Sequence, residues 1–158
     1  MKVLLAIDGS ECSNAAVEEM ARRPLPPGSI IKVLYAVELP FTPAPDGWTL
    51  PDNYYTQMEQ MGREHGQAVV ARAVTRLQAG HEAPPEIQTA LINGPARDVI
   101  LDEADSWSAD LIVLGSHGYR GWKRFLLGSV SQAVVSQAPC SVEIVRSHTR
   151  PETATPNS

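Results

Sequence analysis

The sequence predicts an α/β fold: a single open five-stranded parallel sheet with helices on both faces. Three observations carry that prediction. Short, nearly unbroken apolar runs of strand length recur along the chain, and longer windows with apolar residues at three- and four-residue steps fall between them. The thirteen prolines cluster in the breaks between these windows. Strands that read as continuous apolar runs are buried on both faces, and their alternation with helices is the pattern of βαβ units.

Residues 3–7 form the first run, which ends at Asp8. Ser10 can cap a helix over residues 11–23, with Ala16, Val17, Met20 and Ala21 turned inward. Pro24, Pro26, Pro27 and Gly28 close that segment, and residues 30–37 (IIKVLYAV) make a second strand with only Lys32 polar. Pro40, Pro43, Pro45 and Pro51 then mark a loop running to Tyr55. With Trp48, Tyr54 and Tyr55 it is expected to be a surface loop, a lid being the alternative. Asp52 or Asn53 starts a long helix to about residue 79, with Met58, Met61, Val69, Ala73 and Leu77 on its apolar face.

Residues 87–92 are a weaker third strand. Pro95 suits the first turn of a helix reaching Trp107, with Val99, Ile100 and Ala104 inward, so Asn93-Gly94 reads as a strand-to-helix loop. Residues 111–114 (LIVL) form the fourth strand. Gly128 or Ser129 opens the last helix, where Val130, Val134 and Val135 form the stripe. The fifth strand is residues 142–145 (VEIV), whose Glu143 places one face near solvent or at a sheet edge. Residues 1–146 therefore read as one domain and residues 147–158 as a flexible polar tail.

Composition narrows the function. Thirteen Lys+Arg against eighteen Asp+Glu give a net charge of −5, which opposes a nucleic-acid polymer as partner. The first residues are too short an apolar run for a secretory leader, and no stretch reaches the roughly 18 apolar residues of a membrane span. The expected location is cytoplasmic. Cys12 and Cys140 match no metal spacing and are expected to be reduced and partly buried, a single long-range disulfide being the alternative.

In open parallel sheets, ligands bind beyond the carboxyl ends of the strands where strand order reverses. Asp8, Gly9 and Ser10 follow the first strand, and GSHGYRGWKRFLLGSVS (residues 115–131) follows the fourth. Gly115 and Gly118 can let backbone N–H groups approach an anion. Gly128-Ser129 sits at a helix start, where free N–H groups and the helix dipole favour phosphate, with Ser129 and Ser131 adding hydroxyls. Arg120, Lys123 and Arg124 lie between the two elements, and residues 111–142 contain no carboxylate at all. Competing motifs are missing: there is no GxxxxGK[ST], no GxGxxG and no aspartate after the third strand. Gly115-Ser-His-Gly118 follows a buried strand, unlike the inter-helix loop of a KH domain.

The spacing Gly115-x2-Gly118-x9-Gly128-Ser129 resembles the nucleotide-binding signature of the universal stress protein family, over about residues 2–146. The resemblance implies a Rossmann-like, adenine-nucleotide-binding fold and a role in stress response. It implies ATP, or ADP or AMP, with phosphates held at Gly115, Gly118, Gly128, Ser129, Val130 and Ser131. Asp8 matches the acidic residue near the nucleoside, and Val37 the position whose backbone reads the adenine edge. It further implies a homodimer, often paired through the last strand, for which residues 142–145 are the expected edge.

Catalysis is a weaker expectation. His117, inside the glycine loop, is expected to be an exposed loop histidine, with orienting water or stabilising phosphate as alternatives. Ser10 and Ser129 have no evident base beside them. Phosphoryl transfer could proceed slowly by positioning and Mg2+, with Asp8 as metal or ribose partner. The leading expectation is a nucleotide-dependent regulatory module acting on an unidentified protein partner, with ATP ordering residues 119–127. The alternatives are a slow ATP-hydrolysing or phosphate-transferring enzyme, and a structural dimer module in which the glycines only pack.

Overall fold

Strand β1 (Lys2–Ala6) is the strand on which the sheet is built. In the computed structural model, which describes residues 1–38, 53–118 and 127–147, Val3, Leu4 and Leu5 are completely buried. Alternate side chains of a strand point to opposite faces, so an unbroken apolar run serves two cores at once. The elements that follow are α1 (Glu11–Arg22), β2 (Ile30–Val37), α2 (Tyr54–Gly80), β3 (Glu86–Asn93) and α3 (Ala96–Ser106). After these come β4 (Leu111–Gly115), α4 (Ser129–Gln137) and β5 (Ser141–Val145). All strand pairs are parallel, in the order β3-β2-β1-β4-β5.

Val3, Leu5 and Ile7 pack with Ile31, Val33 and Val113 against α1 and α2. Leu4 and Ala6 pack with Leu34, Ile112 and Leu114 against α3 and α4. Lys32 pairs in register with Leu4 and so falls on the α3 face. Its ammonium meets Glu103 at 2.7 Å and lies 4.3 Å from the centre of the Trp107 ring, which allows one cation inside an apolar strand.

Helix starts follow the sequence signals. The Ser10 hydroxyl accepts the Ser13 N–H at 3.3 Å, the expected cap of α1. Pro95 stands one residue earlier than expected, as the cap of α3 rather than inside its first turn. At the far end of α1, Arg23 makes a two-pronged pair with Glu143 of β5 at 2.6 and 2.7 Å. Glu143 is therefore on an edge strand, as its charge suggested.

Three details depart from the apolar spacing. Met61 is 62% exposed and Val135 49% exposed, so neither belongs to its helix's inward face. In α2 the sheet-facing row contains Gly62 and Gly66 instead. A Cβ at Gly66 would lie 2.7 Å from the Tyr35 ring, and one at Gly62 would lie 3.0 Å from Val37. Glycine admits the strand side chains there, and a count of apolar residues does not register it. Tyr54 and Tyr55 belong to the first turn of α2 and not to the preceding loop. The remainder of that loop, residues 39–52 with Trp48, lies outside the described residues, as do 148–158 of the expected tail. Both cysteines are free thiols, and among the described residues no helix is long and apolar enough to cross a membrane.

Neighbouring positions on α2 separate core from surface energetics. Leu77 is fully buried, and Leu77→Ala is expected to lower unfolding free energy by about 2–5 kcal/mol. Arg76 pairs with Glu18 on the exposed side, and Arg76→Ala is expected to leave the urea midpoint near wild type. Chemical denaturation of both variants checks the contrast.

Candidate functional site

Because successive strands are laid down on opposite sides of β1, the connections leaving β1 and β4 diverge at their carboxyl ends. A cavity of about 640 Å3 opens there, bordered by the ends of β1, β2 and β4 and by the first turns of α3 and α4. Asp8, Gly115, Gly118, Gly128, Ser129, Val130 and Ser131 all border it. Val37 does not. Its side chain is buried and its carbonyl accepts the Gly94 N–H at 3.1 Å, while Leu34, Ala36 and Glu38 reach the cavity from the same strand end.

The three glycines are needed for different reasons. A Cβ at Gly115 would fall 2.6 Å from the Cys12 carbonyl carbon and 2.7 Å from the Ser13 nitrogen, so this position lets the first turn of α1 press against β4. At Gly118 a Cβ would fall 2.6 Å from Asp8 Oδ2. Gly118 therefore gives the carboxylate room, and the carboxylate is aimed by the Ser10 N–H, which donates to Oδ1 at 2.9 Å. Gly128 has an ordinary φ of −62°, and a Cβ there would make only ordinary contacts, with the Ser116 carbonyl oxygen at 3.4 Å and His117 Cα at 3.5 Å the nearest. Its own N–H donates to that same oxygen at 2.8 Å, which anchors the start of α4 to the end of β4.

Helix α4 differs from its neighbours at its N-terminus. Helix α1 has a serine cap and Glu11 in its first turn. At α3 the Glu38 carboxylate accepts the Ala96 N–H at 2.6 Å, and Asp98 lies in the first turn. Among the described residues helix α4 has no side-chain cap, and there is no acidic residue in its first turn. Its first internal bond runs from the Gln132 N–H to the Gly128 carbonyl at 2.9 Å, so the N–H groups of Ser129, Val130 and Ser131 precede any helical acceptor. The Ser131 hydroxyl is buried and donates to the Gly115 carbonyl at 2.8 Å, so that residue offers the cavity its backbone rather than its hydroxyl. The Ser129 side chain is exposed.

His117 is half-buried and not an exposed loop residue. Its Nδ1 lies 3.1 Å from Ser116 Oγ, and its Nε2 is buried with no hydrogen-bond partner among the described residues. The sequence reading passed over Ser116, yet this buried residue anchors α4 through its carbonyl and meets His117 through its hydroxyl. Arg120, Lys123 and Arg124, with the rest of residues 119–126, lie outside the described residues. Among the described residues no group of three or more His, Cys, Asp or Glu side chains is placed to hold a metal ion.

A parallel sheet with helices on both faces and a cavity at its switch point, bordered by the N-terminus of α4, defines the class of open, doubly wound α/β domains. More narrowly, the chain belongs to the universal stress protein family, whose profile matches residues 1–146. A universal stress protein of Thermus aquaticus is 31% identical over 144 residues, covering 91% of this chain and 97% of that one. One from Methanocaldococcus jannaschii is 28% identical over 148 residues, covering 92% and 81%. Among solved structures, UspA from Lactobacillus plantarum superposes with a TM-score of 0.73 at 24% identity, covering 92% of this chain and 97% of that one. An Arabidopsis thaliana family member with AMP bound gives 0.67 at 19%, covering 94% and 93%. The Archaeoglobus fulgidus universal stress protein in complex with dAMP gives 0.63 at 21%, covering 92% and 97%.

The clearance at Gly115 makes a test of its packing role. Gly115→Ala must displace α1 backbone, and is expected to lower stability by about 1–3 kcal/mol in thermal or urea unfolding. A wild-type midpoint would show that α1 does not press on β4 as described.

Proposed function

We propose that the chain is an adenine-nucleotide-binding regulatory module, taking ATP, ADP or AMP in the cavity at the β1/β4 switch point. The observation that carries the reading is the uncapped N-terminus of α4, whose leading N–H groups border the cavity. Such a terminus favours an anion through both its donors and its dipole. Glu38 already fills the corresponding place at α3, so the phosphates would go to Ser129, Val130 and Ser131, beside Gly118 and Gly128. The base would lie toward Leu34, Ala36 and Ile100, apolar residues on the opposite wall. Val37 would then support this wall from behind rather than read the base itself. The solved relatives holding AMP and dAMP support the choice of adenine nucleotides.

Asp8 would face the ribose or a phosphate-bound Mg2+ from across Gly118. Occupancy would draw the β4–α4 connection onto the phosphates and change the surface that a protein partner meets. A second copy would pair along β5, which among the described residues is an edge strand of the sheet.

Two measurements test this reading. Isothermal titration with ATP, ADP and AMP is expected to show saturable binding. Ser129→Ala is expected to weaken it about tenfold, the scale of one hydrogen bond to a charged group. Because the Ser129 side chain is exposed, the unliganded melting temperature should stay near wild type. Absence of binding at millimolar nucleotide would end the proposal. Light scattering is expected to give twice the 17.1 kDa of one chain, and a monomer mass would remove the dimer from it.

A further inference from the structure

The apolar end of the cavity closes on a carboxylate. Along β2, alternate side chains face opposite sides of the sheet. Tyr35 and Val37 face α2, where they fill the space above Gly66 and Gly62. Leu34 and Ala36 belong to the other row and pack in the core that includes Ile100 of α3. Glu38 continues that second row. It borders the cavity together with Leu34, Ala36, Ala96 and Ile100, and its Oε1 accepts the Ala96 N–H at 2.6 Å.

The bond to Ala96 decides what can approach this end. It ties an otherwise flexible side chain to the first turn of a helix, so the carboxylate has a defined place at the edge of the apolar wall. It also puts an acidic group on the α3 N-terminus, where an anion would otherwise be drawn. A phosphate is therefore disfavoured here, and the ligand must present a neutral group. A carboxylate offers several acceptor positions and no donor, and Ala96 takes one of them. The neutral group must therefore donate a hydrogen bond. Val37 is less suited to meet it, because its side chain faces α2 and its carbonyl already accepts the Gly94 N–H.

We infer that Glu38 is a specificity-determining residue of this cleft, its carboxylate accepting a hydrogen bond from the exocyclic amine of the adenine base. The inference rests on the nucleotide reading and assigns the side chain that reads the base. The ring would lie against Leu34, Ala36 and Ile100, with its amine toward the end of the row that they begin. An amine is neutral and carries two donors, which meets both conditions that Glu38 imposes. With phosphate favoured at α4 and disfavoured at α3, the same residue also sets which way round the nucleotide lies.

Isothermal titration with ATP and with purine riboside triphosphate, which lacks only the exocyclic amine, tests this role. Wild type is expected to bind the analogue about tenfold more weakly than ATP, the loss of one hydrogen bond to a charged group. Glu38→Ala removes the acceptor and is expected to bring the two ligands to the same affinity, by weakening ATP. Glu38→Gln keeps an oxygen for the Ala96 N–H but replaces the charged acceptor by a neutral amide, and is expected to shrink the difference. A Glu38 that only caps α3 would alter both affinities together, so a difference that persists in Glu38→Ala would overturn the inference. Equal binding of the two ligands by wild type would overturn it as well. If Ser129→Ala still weakens both ligands in that case, the nucleotide reading stands without it. Failure of wild type to bind either ligand removes both.

Discussion

The close approach of α1 to the end of β4 is the contact on which the rest of the site depends. It exists because residue 115 has no side chain: the backbone of Cys12 and Ser13 occupies the space a Cβ would need. Once α1 is seated there, Ser13 Oγ receives the Asp8 N–H, and Asp8 is turned toward Gly118. The same seating brings Cys12 against Ser116. A glycine that at first reads as part of an anion loop is thus first a packing residue. Its neighbours inherit their positions from that packing.

The strand order supplies the second constraint. With β2 and β3 on one side of β1 and β4 and β5 on the other, a cavity at the β1/β4 junction follows from topology. Topology alone leaves three helix starts, α1, α3 and α4, bordering the cavity, and α1 is capped by its own Ser10. The side chains then break the symmetry. Glu38 answers the first N–H of α3 from within the chain, whereas α4 begins at a glycine with no side-chain cap among the described residues. Charge is therefore distributed along the cleft: the carboxylates of Asp8 and Glu38 lie near β1 and β2, and the leading N–H groups of α4 have no side-chain cap among the described residues. A nucleotide has the matching asymmetry, with an anionic end and an apolar base.

Much of this was legible in the sequence. The strands buried on two faces announced themselves as apolar runs, and Ser10 and Pro95 marked helix starts to within a residue. Edge strand β3, with no fully buried residue, gave the weaker pattern expected of an edge. What escaped detection shares one physical cause, contact between residues distant in sequence. Gly62 and Gly66 line the sheet-facing row of α2 because Val37 and Tyr35 fill the space above them, so periodicity assigned Met61 to a face it does not occupy. The hydrogen-bond partners of Cys12, Ser116 and Ser147, come from more than a hundred positions away, and no spacing rule connects them. Val37 was placed by resemblance at the ligand. Its carbonyl is bonded to the Gly94 N–H in the structure.

The central claim is that the first backbone amides of α4, with those of the glycine turns beside them, receive the phosphates of an adenine nucleotide. Amide-resolved NMR titration of the isotopically labelled protein with ATP addresses those groups one by one. The account predicts that the signals of Gly118, Gly128, Ser129, Val130 and Ser131 shift first and furthest, and saturate together. Shifts confined to other parts of the chain, or none at millimolar ATP, would contradict it.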